Sequence, residues 1–257
     1  MAKVIAVGNF KGGVGKTTIS ANLAFALKEA GKSVLLLDFD QQGQSSQYIG
    51  GEEFEPEEGK GAERILEADP ELRGQTTASG IDVLHGHLDL GRLDEGGHGI
   101  EEVFALRSYI EALPYDYVVI DTPPNMGFRM LGAMAWADYL LIVQKPDAVS
   151  TDSTVKLLHV IQGWLNKRWV KPGFRFGIVM NMVDRSSPAS RNEAEQARAE
   201  HPSLFLPVEL TYRRDLINRA YTNRVPVWAV HRMPKDVATA WRTLPVTIGM
   251  LATGENA

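Results

Sequence analysis

The sequence predicts an α/β protein built on a doubly wound, mostly parallel sheet with helices on both faces. Two observations carry this. Near-continuous apolar runs recur at 4–7, 34–37, 117–120 and 139–143, each followed later by residues with helical spacing. Strands that lack polar alternation are those covered on both faces, as in parallel sheets with helical crossovers. The 257 residues are 44% hydrophobic, enough for one large core. No internal repeat or composition break marks a linker, so one domain over 1–257 is expected, with its ligand at the carboxyl ends of the strands.

In chain order, 3–8 reads as a buried strand and 17–30 as a helix, with Ala21, Leu23, Ala24, Phe25 and Leu27 apolar and Gly31 as the stop. A second strand, 33–38, ends in Asp38-Phe-Asp40. The segment 51–61, with five glutamates, Pro and Gly, reads as a solvated loop. A short helix (62–68), a strand (81–84), a glycine-rich loop (91–99), a helix (100–113) and a strand (117–121) follow. The second half alternates strands at 139–144, 174–181 and 204–206 with helices at 151–166, 188–200 and 213–223. A helical stretch from Pro234, interrupted by Pro245, closes the chain.

Lys11-Gly-Gly-Val-Gly-Lys-Thr-Thr18 lies between the first strand and the first helix. In such a turn successive N–H groups point inward at the positive end of a helix, which cradles phosphate oxygens. Gly12, Gly13, Val14, Gly15 and Thr18 supply the backbone, Lys16 reaches the β/γ-phosphates, and the Thr17 hydroxyl holds Mg²⁺. The general pattern G-x-x-x-x-G-K-[ST] fails at Phe10, while Lys11 precedes the double glycine. Asp121, ending an apolar strand, has the Walker B arrangement and is expected to hold Mg²⁺ through a water.

KGGVGKTT resembles the deviant Walker motif of the ParA/MinD family of P-loop ATPases, and the chain looks most like the short, Soj-like ParA proteins. The resemblance extends from Lys3 to about Val230. It implies that Lys11 reaches across an ATP-bound homodimer to the partner's nucleotide. Asp40, in DFDQQGQ, resembles the aspartate that orients the lytic water, although Gln41 stands where the family most often has proline. Lys11, Lys16 and Asp40 are thus the expected catalytic residues, and Thr122-Pro-Pro-Asn125 resembles the γ-phosphate-sensing segment. Asn181 and Pro207 match positions around the adenine of bound ATP. Related iron–sulfur ATPases need cysteines, and this chain has none.

The resemblance implies ATP hydrolysis but leaves three outputs: a ParA-type DNA partition ATPase stimulated by a ParB-like adaptor, a MinD-type membrane ATPase, or a scaffold that positions a protein cargo. Net charge is −5, so any nucleic-acid site must be a local patch. Residues 211–242 carry six arginines and Lys235 against Asp215 and Asp236. Because relatives bind DNA in this region, Arg213, Arg214 and Arg219 are expected to contact non-specific DNA. Residues 243–257 contain no Lys or Arg, unlike a membrane-surface helix. No apolar run approaches the roughly 20 residues of a membrane span, and strand-like sequence begins at once without a leader, so a cytoplasmic, nucleoid-associated protein is expected. The start at strand one also omits the operator-binding extension of longer ParA proteins, so sequence-specific repression is not expected.

Overall fold

In the computed structural model, residues 1–51, 54–95, 97, 99–252 and 254 are described. Parts of the two glycine-containing loops (52, 53, 96 and 98) and of the C-terminal stretch (253 and 255–257) lie outside them. Eight strands form one sheet: β1 (Lys3–Gly8), β2 (Val34–Asp38), β3 (Gln75–Thr76), β4 (Asp82–Leu84), β5 (Tyr117–Asp121), β6 (Tyr139–Gln144), β7 (Arg175–Val183) and β8 (Phe205–Thr211). Their order is β3-β4-β2-β5-β1-β6-β7-β8. Only the β3–β4 pair among them is antiparallel. The doubly wound parallel sheet is therefore as expected.

Period-two geometry splits each apolar strand between two cores. Val4, Ala6, Leu35, Leu37, Val118, Ile120, Leu140 and Ile142 face one layer. Ile5, Val7, Val34, Leu36, Val119, Leu141 and Val143 face the other. The first layer is covered by α4 (Ile100–Ala105), α5 (Arg107–Ala112), α6 (Phe128–Trp136) and α7 (Ala148–Lys167), through Val103, Ile110, Trp136, Leu157 and Ile161. Helices α1 (Lys16–Glu29), α10 (Lys235–Arg242) and α11 (Leu244–Thr247) cover the second, through Ile19, Leu23, Leu27, Trp241 and Leu244. The remaining helices are α2 (Gln44–Gly50), α3 (Arg92–Glu95), α8 (Pro188–Glu200) and α9 (Arg214–Thr222).

Several elements differ from the sequence reading. Helix α2 opens with the polar run Gln44-Ser-Ser-Gln47, which hides its periodicity, yet Ser45, Ser46, Tyr48 and Ile49 are buried. Helix α6 is an apolar nine-residue run that periodicity alone cannot separate from a buried strand. The predicted helix 100–113 is two short helices meeting at Leu106, whose own backbone stays helical. Part of the glycine-rich loop 91–99 folds as α3, and β8 extends to Thr211 rather than stopping at 206.

Trp136 shows how closely the layer beneath α4 is filled. It is fully buried, its indole N–H donates to the Val103 carbonyl at 2.7 Å, and Gly132 lies against its ring. Trp136→Ala would leave both a cavity and an unpaired carbonyl, with an expected cost of about 3–5 kcal/mol. A guanidinium denaturation series should show a lower midpoint with an unchanged slope.

Candidate functional site

The site forms where the sheet's central strands end. Gly13 and Gly15 take φ values of 71° and 97°, in the left-handed region that glycine tolerates, and carry the chain from β1 into α1. A Cβ on Gly15 would also collide with the Asn181 amide. The turn is held from two sides. Asn9, fully buried, accepts from the Lys11 N–H (3.0 Å) and from Ser153 Oγ (2.7 Å), while its amide donates to the Val143 carbonyl (2.7 Å). Asn181 donates to the Val14 carbonyl at 2.7 Å.

Lys16 is buried, and its Nζ donates to the Lys11 carbonyl at 3.1 Å. Burial lowers its pKa from the ordinary lysine value, and the negative charges of Asp121 and Asp40 oppose that shift. Lys11 is half-exposed, and its ammonium has no partner among the described residues. The two lysines therefore differ in kind: one is a buried cation with a carbonyl partner, the other is partly exposed and unpartnered among the described residues.

Asp38 and Asp121 pair in register across β2 and β5, and both are fully buried. Burial raises the Asp38 carboxyl, although Ser46 donates to it through N–H (2.9 Å) and Oγ (2.6 Å). The Asp121 carboxyl is pushed up to about 7 by burial and then by Asp38, against the pull of Lys16, Ser20 and Thr17. Ser20 donates to Asp121 Oδ1 at 3.0 Å, whereas Oδ2 is buried with no partner. A buried carboxylate oxygen without a donor, beside the Thr17 hydroxyl, suits a hard cation or its water.

Asp40 is half-exposed on the loop after β2, its N–H donating to Asp38 Oδ1 (3.1 Å) and its Oδ1 accepting from the Gln42 N–H (3.0 Å). Gln41, at the family's proline position, packs its amide against Gly91 and leaves the Asp40 carboxylate free to face Lys16. The His85-Gly-His87 turn backs this loop: Gly86 lies against the Asp40 carbonyl, and a Cβ on Gly43 would sit 2.7 Å from the Gly86 oxygen. His87 pairs with Glu63 at 2.5 Å, and no group of three or more metal-ligating side chains occurs among the described residues. Thr122 Oγ1 donates to the Val7 carbonyl at 2.8 Å, so the segment 122–125 starts from a fixed point.

A cavity of about 440 Å³ opens beside the glycine turn, lined by Gly13, Thr18, Lys145, Asn181, Met182, Thr211, Tyr212, Arg214, Ile217, Asn218 and Trp241. Asn181 thus joins the site. Pro207 does not: it lies exposed on β8, where the pairing with β7 shifts register between Phe205 and Glu209, and it lines a different hollow with Arg198 and Pro202. Tyr212 and Ile217 supply apolar wall instead. Arg213, Arg214 and Arg219 are all exposed, and Arg214 also lines the cavity.

The sequence reading missed Ser20, Ser46, Asn9, Arg129 and Asp94. Ser20 was within reach, lying four residues beyond Lys16 on one helix face. Arg129 and Asp94 carry no such signal. Arg129 is 2% exposed and donates to Asp94 Oδ2 through Nη2 (2.6 Å) and Nε (3.1 Å). Burial would raise the Asp94 carboxyl, but the donors of Arg129 and Asn125 outweigh it and hold it below the usual range.

The raised Asp121 pKa has a definite sign. The folded state holds a proton that the unfolded state releases near the ordinary value of 3.8, so this contribution is present at low pH and is lost as pH rises toward about 7. Asp121→Asn removes the buried charge. Without nucleotide or divalent cation at pH 8, its melting midpoint should exceed the parent's by at least about 2–4 °C, the shift that about 1 kcal/mol produces in a domain of this size. The gain should vanish at pH 4, and calorimetry across that range checks it.

Residues 2–171 match the model of a family described as an AAA domain. The protein IncC of Escherichia coli is 31% identical over 236 residues, covering 89% of this chain and 63% of IncC, so the chain spans less than two thirds of that relative. The chromosome partitioning protein ParA of Caulobacter vibrioides is 32% identical over 214 residues, 77% of this chain and 76% of that protein. Among solved structures, the septum site-determining protein MinD of Pyrococcus horikoshii, complexed with Mg-ADP, superposes with a TM-score of 0.75 at 22% identity, over 100% of this chain and 99% of that one. A glycine turn with a buried and a partly exposed lysine, two aspartates ending adjacent parallel strands, and these likenesses have one account: the chain belongs to the ParA/MinD-type P-loop ATPases.

Proposed function

We propose that this protein is a ParA-like ATPase that partitions DNA, dimerising with ATP, binding DNA without sequence preference and hydrolysing ATP under the control of a ParB-like adaptor. The observation that carries the reading is the partly exposed ammonium of Lys11, unpartnered among the described residues beside a glycine turn that already has its own cation in Lys16. A second cation with nothing to neutralise within its own subunit suits a face-to-face dimer in which each Lys11 completes the other site. Asp121 and Thr17 would hold Mg²⁺, which supplies charge neutralisation on the phosphates. Asp40 acts on the attacking water, Lys16 on the phosphate charge, and the turn's N–H groups on the oxygens. The base and ribose fit the cavity walled by Asn181, Tyr212 and Ile217.

The MinD-type alternative needs a free apolar helix face near the end of the chain. Leu244, Ile248, Met250 and Leu251 are instead buried in the core over α1. No described helix is long and apolar enough to cross a membrane. Exposed Arg213 and Arg219 beside and on α9 support DNA as the cargo, and with it a cytoplasmic, nucleoid-associated protein.

Lys11→Ala should bind ATP as a monomer yet lose ATP-dependent dimerisation and turnover. Asp40→Ala should instead accumulate as an ATP-bound dimer, because it loses the water-orienting carboxylate and no phosphate ligand. Size-exclusion chromatography with ATP, read beside phosphate release, separates the two; a Lys11→Ala protein that dimerises like the parent rejects the sandwich.

For DNA, each neutralised phosphate adds about 0.9 to the salt slope, so clamping two subunits doubles that slope. Random and defined duplexes should bind alike, with ATP and not with ADP. Arg213→Ala/Arg219→Ala should weaken duplex binding at least about tenfold in fluorescence anisotropy while ATP-dependent dimers still form. Binding of that variant like the parent, or parental binding to anionic vesicles alone, would reject the DNA assignment.

A further inference from the structure

Arg129 opens α6, directly after the segment 122–127, and is buried with a single carboxylate partner, Asp94 of α3. A guanidinium in that position is expensive to desolvate, and an apolar residue of similar size would fill the space. Its hydrogen bonds show what it connects. Besides the two donors on Asp94, Nη1 donates to the Phe39 carbonyl at 2.7 Å, the peptide between Asp38 and Asp40. The same Asp94 Oδ2 accepts from Asn125 Nδ2 at 2.7 Å, and the Arg129 N–H donates to Asp94 Oδ1 at 3.2 Å. Gly127 is pressed against the Asp94 carboxyl, with no room for a Cβ.

We propose that Arg129 and Asp94 are positioning residues that lock the Asp40 loop to the segment 122–127, so that the two loops facing the terminal phosphate move as one body. The consequence for hydrolysis rests on the ATPase reading above; the lock itself does not. Arg129 holds the carbonyl just before Asp40, and a bond from that peptide sets the direction in which the Asp40 carboxylate leaves the backbone. Asp94 fixes Arg129 and Asn125 through one oxygen, so a displacement of Asn125 is felt at Phe39 through three successive hydrogen-bonded links. Neither residue borders the cavity or the glycine turn, so nucleotide affinity is not what they set.

The test uses Arg129→Met, Arg129→Lys and the double variant Asp94→Asn/Arg129→Met. The single Met variant leaves Asp94 charged and half-buried and loses stability; the double variant removes both charges and should melt at or above the parent. Amide hydrogen exchange, read without nucleotide, should be at least about tenfold faster at 39–42 and at 122–127 together in both Met-containing variants, with 11–18 unchanged. Arg129→Lys, which keeps the charge but cannot reach the carboxylate and the Phe39 carbonyl at once, should fall between. In the ATPase assay the double variant should lose at least about tenfold in kcat while its affinity for a fluorescent ATP analogue stays within about twofold. A double variant that regains parental exchange at 39–42 along with its stability would overturn the lock. A double variant with fast exchange but parental kcat would overturn its role in hydrolysis. A parent that shows no turnover would reject the ATPase reading and leave the lock to be judged by exchange alone.

Discussion

Two carboxylates at the ends of neighbouring parallel strands, Asp38 and Asp121, are buried side by side, and the site is arranged around the positive charge that they require. Neither can ionise cheaply in the other's presence, and both are held toward the protonated form by burial. Lys16 supplies one compensating charge from the first turn of α1. Ser20 and Ser46 supply neutral donors, and one oxygen of Asp121 is left without any. The site is thus left short of positive charge by construction, which is why Mg²⁺ is proposed at Asp121 and Thr17.

That incompleteness explains why so much polar scaffolding surrounds a small loop. The glycine turn is tied to α7 through Asn9 and Ser153, and to β7 through Asn181. The loop after β2 is backed by Gly86, and the segment after β5 is anchored at Thr122 to β1. Strand register does most of the positioning: pairing Val7 with Asp121 and Asp38 with Asp121 brings three chain-distant loops together at the carboxyl ends of the central strands. An unsatisfied polar group there would be costly, so each loop is held by side-chain donors rather than by packing.

The placement of α9 gives the fold a route from nucleotide to surface. Arg214, Ile217 and Asn218 of this helix line the cavity, while Arg213 just before it and Arg219 on it are exposed outside that lining. One helix is therefore both a wall of the cavity and a carrier of exposed cations. The strained backbone of Met182, at φ 57° in the adjoining strand, lies on the same wall.

The amino-acid sequence by itself determined the doubly wound sheet and the glycine turn, and it placed Lys11, Lys16, Thr17, Asp40 and Asp121 at or beside strand ends and a helix start, because each lies within a local pattern: an apolar strand, a turn that glycine fits, a helix start. It could not determine what depends on residues far apart meeting. Pro207 resembled a ligand-facing proline, but the register shift in β8 carries it away from the cavity and puts Tyr212 on the wall. Helix α2 was hidden because two of its buried residues are serines, and Ser46 is satisfied there only because Asp38 accepts from it. The pair Arg129 and Asp94 is separated by 35 residues and a strand, and neither residue type announces burial. Local conformation is set by steric and periodic rules that act over a few residues and are therefore legible in order along the chain; the partnering of buried charges is decided only when the sheet's strand order brings their loops together.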